Sequence, residues 1–253
     1  MKRTVKGREW THMIVRDDQL PLGAGTTQDE VPALPAASVL VLRGQPYEVL
    51  LLRRHEGSRF VPGAWVFPGG VLEPADEALA RRLSDGGVLG AMRVCAAREL
   101  FEESGIWLGR PLQDAEAKRH ALLESETSFA NLVEESAVEL DRLTWTARWI
   151  TPIGIPRRYD TWFFLVEVEA STEATAEERE GMEAIWIIPD EALERHRRGE
   201  LSLVFPTIRN LEAVAGWMSP GEVIASRLRA TIETTRPVLV VEGDRKRIVL
   251  PEE

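Results

Sequence analysis

The run Arg98-Glu99-Leu100-Phe101-Glu102-Glu103-Ser104-Gly105-Ile106 constrains this chain more than any other. From Ala91 to Ser104 apolar residues recur at Met92, Val94, Cys95, Leu100 and Phe101 with charges between them, and Gly105 is a natural stop, so the segment is expected to be an amphipathic helix. Glu99, Glu102 and Glu103 then stand at i, i+3 and i+4 and project from one face. Left alone, three such carboxylates repel. A hard divalent cation removes the conflict, because Mg²⁺ takes oxygen ligands and is completed by water and substrate phosphates. Arg98 beside them can orient one carboxylate through a charge-assisted hydrogen bond. An isolated charge run is more often a solvated helix face. Here Arg98, Glu99, Glu102, Glu103 and Gly105 together would arise by chance about once in several thousand chains of this length. The FPGG of Phe67–Gly70 just upstream makes coincidence rarer still.

The flanking sequence supplies a sheet for that helix. Ala37–Leu42 and Tyr47–Leu52 are apolar runs joined by Arg43, Gly44, Gln45 and Pro46, the pattern of a hairpin. Phe60–Gly70 (FVPGAWVFPGG) alternates Pro and Gly with large apolar residues and reads as a bent strand entering a loop that something approaches closely. Thr161–Val168 and Ala184–Ile188 are rich in β-branched and aromatic residues and should join the sheet. Helices are expected at Pro189–Gly199 and Pro206–Trp217, and two short strands within Pro237–Leu250. Residues 1–34 show no sustained period and read as an extended arm, while residues 35–253 form one domain carrying a helical insertion at about 112–148.

Composition narrows the partners. Of 253 residues 44% are hydrophobic and 28% charged, enough for a real core, and the net charge of -10 argues against binding nucleic acid phosphates or anionic lipid. The expected partner is a small-molecule nucleotide, with no nucleic acid and no membrane, and a homodimer is left open. The single cysteine, Cys95, cannot form an internal disulfide, no apolar stretch approaches the roughly 18 residues of a membrane span, and the start MKRTVKGREWTHMIVRDDQ lacks a signal h-region. A cytoplasmic location is expected. His12, His55, His120 and His196 are scattered without metal-ligand spacing, and no GxSxG elbow or CxxC pair occurs, which disfavours zinc and serine-hydrolase chemistry.

The central segment resembles the box of the Nudix hydrolases, Gx5Ex7REUxEExGU with U a bulky apolar residue. Gly70 matches the first glycine, and Arg98, Glu99, Leu100, Glu102, Glu103, Gly105 and Ile106 match the second half, so the box spans residues 70–106. Asp76 stands where the family has Glu, and 21 residues instead of seven separate it from Arg98. The 14 extra residues (EALARRLSDGGVLG, 77–90) are of a length that a loop can absorb. FVPGAWVFPGGVLEPAD before the box helix, and WITP with RRYDTWFFL after it, resemble the acyl-CoA diphosphatase branch of the family. Leu51, Leu52, Arg53 and Arg54 meet only part of the signature of other CoA pyrophosphatases.

The resemblance implies an α/β fold, a Nudix-type α/β/α sandwich with a mixed sheet, and a Mg²⁺- or Mn²⁺-dependent pyrophosphohydrolase of the nucleoside-diphosphate-linked-X type. It implies Glu99, Glu102, Glu103 and the Gly69 carbonyl as metal ligands. Glu99, or a carboxylate from a later loop, would be the base, and Arg98 would hold Glu99 in place. Within the acidic stretch Glu177, Glu178, Glu180 and Glu183, Glu178 is the favoured catalytic candidate, then Glu180. Arg53, Arg54, Arg59 and Arg158 are candidates to grip substrate phosphates. The expected reaction cleaves CoA or acyl-CoA to 3′,5′-ADP and (acyl-)4′-phosphopantetheine. ADP-ribose, NADH or another dinucleotide is the alternative substrate. A non-catalytic nucleotide sensor is the alternative of another class, and such domains typically lose carboxylates that this chain keeps.

Overall fold

A computed structural model of the chain describes residues 31–57, 61–83, 86–176, 183–242 and 245–250. The sequence-assigned arm therefore lies almost wholly outside the described residues, and the first strand begins at Ala33. Strands β1 (Ala33–Arg43) and β2 (Glu48–Arg53) form the expected hairpin, with Leu42 opposite Val49 and Gly44 in the left-handed region at φ 74°. β1 runs parallel to β6 (Arg158–Val168) along its whole length, from Ala33 opposite Arg158 to Arg43 opposite Val168. Its other edge is shared between β2 and the short β4 (Gly69–Val71). With β3 (Trp65–Val66), β5 (Thr144–Ile150), β7 (Glu183–Ile187) and β8 (Thr234–Thr235) these strands make one eight-stranded sheet. Parallel and antiparallel pairs both occur, so the sheet is mixed.

Two apolar layers follow from strand alternation. Val39 and Val41 of β1, with Phe164 and Val166 of β6, face α1 (Pro74–Arg82) and α2 (Val88–Ser104). Leu40 and Leu42, with Phe163 and Leu165, face the opposite layer, which holds α5 (Pro189–Arg197), α6 (Phe205–Val214) and α7 (Pro220–Arg227). The result is the α/β/α sandwich expected. α2 lays Met92, Val94, Cys95, Leu100 and Phe101 against the sheet, all buried. Truncating Leu100 to Ala would cost about 2–5 kcal/mol. That packing fixes the face from which the carboxylates project. Gly105 terminates the helix at φ 74°, its N–H bonded to the Phe101 carbonyl.

Two expectations need correction. The residues inserted in the box do not form one loop: 77–82 continue α1 and 88–90 open α2, and α1 starts with Pro74 and is fastened by the Glu73 N–H donating to Asp76 Oδ2 at 2.9 Å. The helical stretch after the box is α3 (Ala115–Leu123), α4 (Phe129–Glu135) and a 3-10 turn at Leu140–Arg142. It stops short of 148, because Thr144–Ile150 pairs with β6 instead. Trp145 stacks on Trp162, ring centroids 4.5 Å apart, which gives that strand its own reason to join the sheet. The two short strands expected near the C-terminus are present as β9 (Val238–Glu242) and β10 (Arg245–Val249), which pair with each other as a two-stranded sheet. Among the described residues no helix is long and apolar enough to cross a membrane.

Candidate active site

Arg98 organises the box. Its side chain is 7% exposed, and each of its five N–H donors has an acceptor. Nε and Nη2 reach the two oxygens of Asp76, both at 2.9 Å, and Nη2 also reaches the Val71 carbonyl at 3.0 Å. Nη1 donates to Glu99 at 2.8 Å and to Glu102 at 2.9 Å. Asp76, one methylene shorter than the residue the family pattern expects, is 2% exposed and receives a fork of two parallel bonds. Burial works against the Arg98 cation, but its bonds to Asp76 and the charges of Glu99 and Glu102 win, and its pKa is raised.

The carboxylates are under opposing pressures. Burial, outweighing the nearby Arg98 cation, pushes the Glu99 pKa up to about 7, and the Glu102 charge adds to the rise. Glu102 is raised for the same first reason. Glu103 turns the other way and accepts the Gly69 N–H at 2.8 Å. Among the described residues no three acidic, histidine or cysteine side chains stand in a metal-ligating cluster. Glu99 and Glu102 are both bonded to Arg98, and Glu103 to the Gly69 N–H on β4.

Two glycines let these parts approach. A Cβ at Gly69 would lie 2.3 Å from the Ala37 carbonyl oxygen, where β4 presses on β1. At Gly70 it would lie 2.3 Å from Glu99 Oε1. The missing side chain of Gly70 is thus the space into which the Glu99 carboxylate fits. Glu99, Glu103, Gly69 and Gly70 all line one cleft of about 340 Å³.

The candidate phosphate-gripping arginines separate. Arg54 lines the cleft. Arg53 is paired with Glu56 and Glu183, each at 2.8 Å. Arg158 is buried, donating to the Thr151 carbonyl at 3.0 Å and the Val31 carbonyl at 2.7 Å, so it ties the entry of β1 to the β5–β6 connection rather than facing a ligand. Arg59, Glu177, Glu178 and Glu180 lie outside the described residues. Of the aromatics on β6, Trp162 is buried and Tyr159 lines the cleft. Sequence reasoning missed the apolar part of that cleft, which is assembled from Ile155, Phe205 and Ile248, residues too far apart in the chain to show any pattern.

The model of the NUDT19 Nudix domain matches residues 87–214, half of the chain. The chain belongs to the Nudix family. Its relatives include the acyl-coenzyme A diphosphatase NUDT19 of Gallus gallus, 31% identical over 70% of this chain and 66% of that protein. A putative nudix hydrolase 7 of Caenorhabditis elegans is 28% identical over 70% of this chain and 58% of that protein. The chain thus matches less than two thirds of the length of either. The crystal structure of a NUDIX hydrolase from Alicyclobacillus acidocaldarius superposes with a TM-score of 0.69 at 27% identity, covering 77% of this chain and 96% of that one. The Nudix sandwich is therefore shared by sequence and by fold.

Proposed function

We propose that this Nudix domain is a divalent-metal-dependent pyrophosphohydrolase that cleaves CoA or acyl-CoA at the diphosphate, releasing 3′,5′-ADP and (acyl-)4′-phosphopantetheine. The observation that carries the reading is the meeting of Glu99, Glu103, Gly69, Gly70 and Arg54 in one cleft, in a chain whose relatives include acyl-coenzyme A diphosphatases.

The donor set suits Mg²⁺ or Mn²⁺: it is all oxygen, and burial already disfavours the anionic charge on Glu99, so a cation beside it is correspondingly favoured. Glu99, Glu102 and Glu103 would hold the ion, with the Gly69 carbonyl beside them. A bound cation supplies charge neutralisation on the diphosphate and a more acidic water. Arg98 keeps Glu99 and Glu102 aimed, which makes it a positioning residue. Glu99 would take the proton of the attacking water as the new O–P bond forms and the bridging O–P bond breaks. Glu178 is the alternative base. Arg54 supplies a guanidinium for a substrate phosphate.

Purified protein with Mg²⁺, offered CoA, octanoyl-CoA, ADP-ribose, NADH and diadenosine polyphosphates in parallel, should turn over the CoA compounds fastest and release 3′,5′-ADP. Preference for a substrate lacking pantetheine would overturn the assignment. Tight nucleotide binding with no turnover of any compound would make the domain a sensor.

A further inference from the structure

The cleft extends well beyond its carboxylates. Its other walls come from outside the box: Trp149 at the end of β5, Ile155 in the β5–β6 connection, Phe205 at the start of α6, and Ile248 of β10. Ile155, Phe205 and Ile248 form an apolar cluster separate from the two main cores, with Trp149, Leu239 and Leu250 packed on it. Phe205 meets Trp149 edge-on, ring centroids 5.7 Å apart. The C-terminal hairpin, a two-stranded sheet of its own, thus contributes a wall of the cleft through this cluster.

Size and charge together select what enters. About 340 Å³ is at the low end of small-molecule sites, which run from about 300 to 1,000 Å³, so the cleft encloses one arm of a diphosphate-linked thioester and not the whole. Arg54 is the one cationic side chain among the described residues that line it, against Glu99 and Glu103. A nucleotide with its extra phosphate would be desolvated there without enough partners. An alkyl chain would instead release water from apolar walls.

The geometry points to a subsite for the acyl–pantetheine arm, walled by Ile155, Phe205 and Ile248, with the nucleotide half lying outside the cleft. This rests on the CoA reading and adds to it an orientation and a chain-length preference. Each methylene buried there is worth about fourfold in kcat/KM.

The test is kcat/KM for free CoA, acetyl-, octanoyl- and palmitoyl-CoA with Mg²⁺, for the wild type, Ile155→Trp and Ile248→Asp. The wild type should favour octanoyl-CoA over free CoA by at least about tenfold. Ile155→Trp, which narrows the cleft, should shift the optimum to shorter chains, and Ile248→Asp should bring the octanoyl-to-free ratio towards one. A ratio taken within one preparation is indifferent to the fraction of protein that folds. A flat chain-length profile in a wild type that hydrolyses CoA, or a ratio unchanged in both variants, would overturn the subsite alone. No turnover of any CoA compound would overturn the CoA reading and the subsite with it.

Discussion

Arg98 and Asp76 meet edge to edge, Nε on Oδ1 and Nη2 on Oδ2, both at 2.9 Å and both out of solvent. The inserted helix α1 carries Asp76 on its first turn and α2 carries Arg98, so this fork joins the insertion to the helix that presents the carboxylates. Removing the acidic partner would leave a buried guanidinium still bonded to Glu99 and Glu102 but no longer fixed against α1.

Asp76→Ala is accordingly expected to cost about 3–5 kcal/mol, the usual result of orphaning one member of a buried ion pair. Asp76→Glu, the residue of the family pattern, should recover part of that loss but not all, because the start of α1 sets the distance for the shorter side chain. Urea unfolding of the metal-free proteins would rank them. A loss below about 1 kcal/mol for Asp76→Ala would mean that the fork does not hold the box together.

The neighbouring glycines should separate shape from chemistry. In Gly70→Ala the new methyl meets the Glu99 carboxylate, which can swing aside, so the fold should survive while kcat/KM falls about 100-fold through a misplaced carboxylate. In Gly69→Ala the methyl meets the Ala37 backbone, which cannot swing, and the pairing of β4 with β1 should loosen at a cost of about 1–3 kcal/mol. Thermal melts beside steady-state kinetics distinguish the two. Equal effects on both readouts in both variants would contradict the geometry.

How much of this was legible in the sequence depends on distance along the chain. The carboxylate face of α2 was readable because its residues lie within five positions and a helix repeats every 3.6. The Asp76–Arg98 contact was not, since it closes over 22 positions and depends on α1, a nine-residue helix whose sequence looked like loop filler. Thr144–Arg148 passed as helix because Trp145 and Arg148 give no clean alternation, and the strand state of Thr144–Ile150 is decided by β6 alongside it. Arg158 looked like a phosphate ligand because charge is visible in sequence and burial is not.

That last point gives a paired prediction. Arg54→Gln should raise KM for the diphosphate substrate about tenfold with little change in melting temperature, as expected for a cation that meets substrate at the cleft wall. Arg158→Gln should instead destabilise the fold by about 1–3 kcal/mol, because the carbonyls of Thr151 and Val31 lose a buried donor. Should Arg158→Gln raise KM with an unchanged melt, the structural role assigned to Arg158 would be wrong.

Glu99 makes the metal-free protein sensitive to pH in a direction opposite to that of most carboxylates. Its pKa is about 7 folded, through burial first, against an ordinary value of 4.5. The folded state therefore holds the proton more tightly than the unfolded chain across that interval. Stability owed to this group is greatest below about pH 4.5 and falls as pH rises towards 7, by on the order of 3 kcal/mol at most. Other groups titrate over the same range, so the useful quantity is the difference from Glu99→Gln, which should lack this component of the slope. With saturating Mg²⁺ the wild-type slope should flatten, because the cation compensates the charge that burial disfavours. Denaturant unfolding at half-unit pH steps would show it, and identical slopes for the wild type and Glu99→Gln would mean that Glu99 ionises as freely in the folded chain as in the unfolded one.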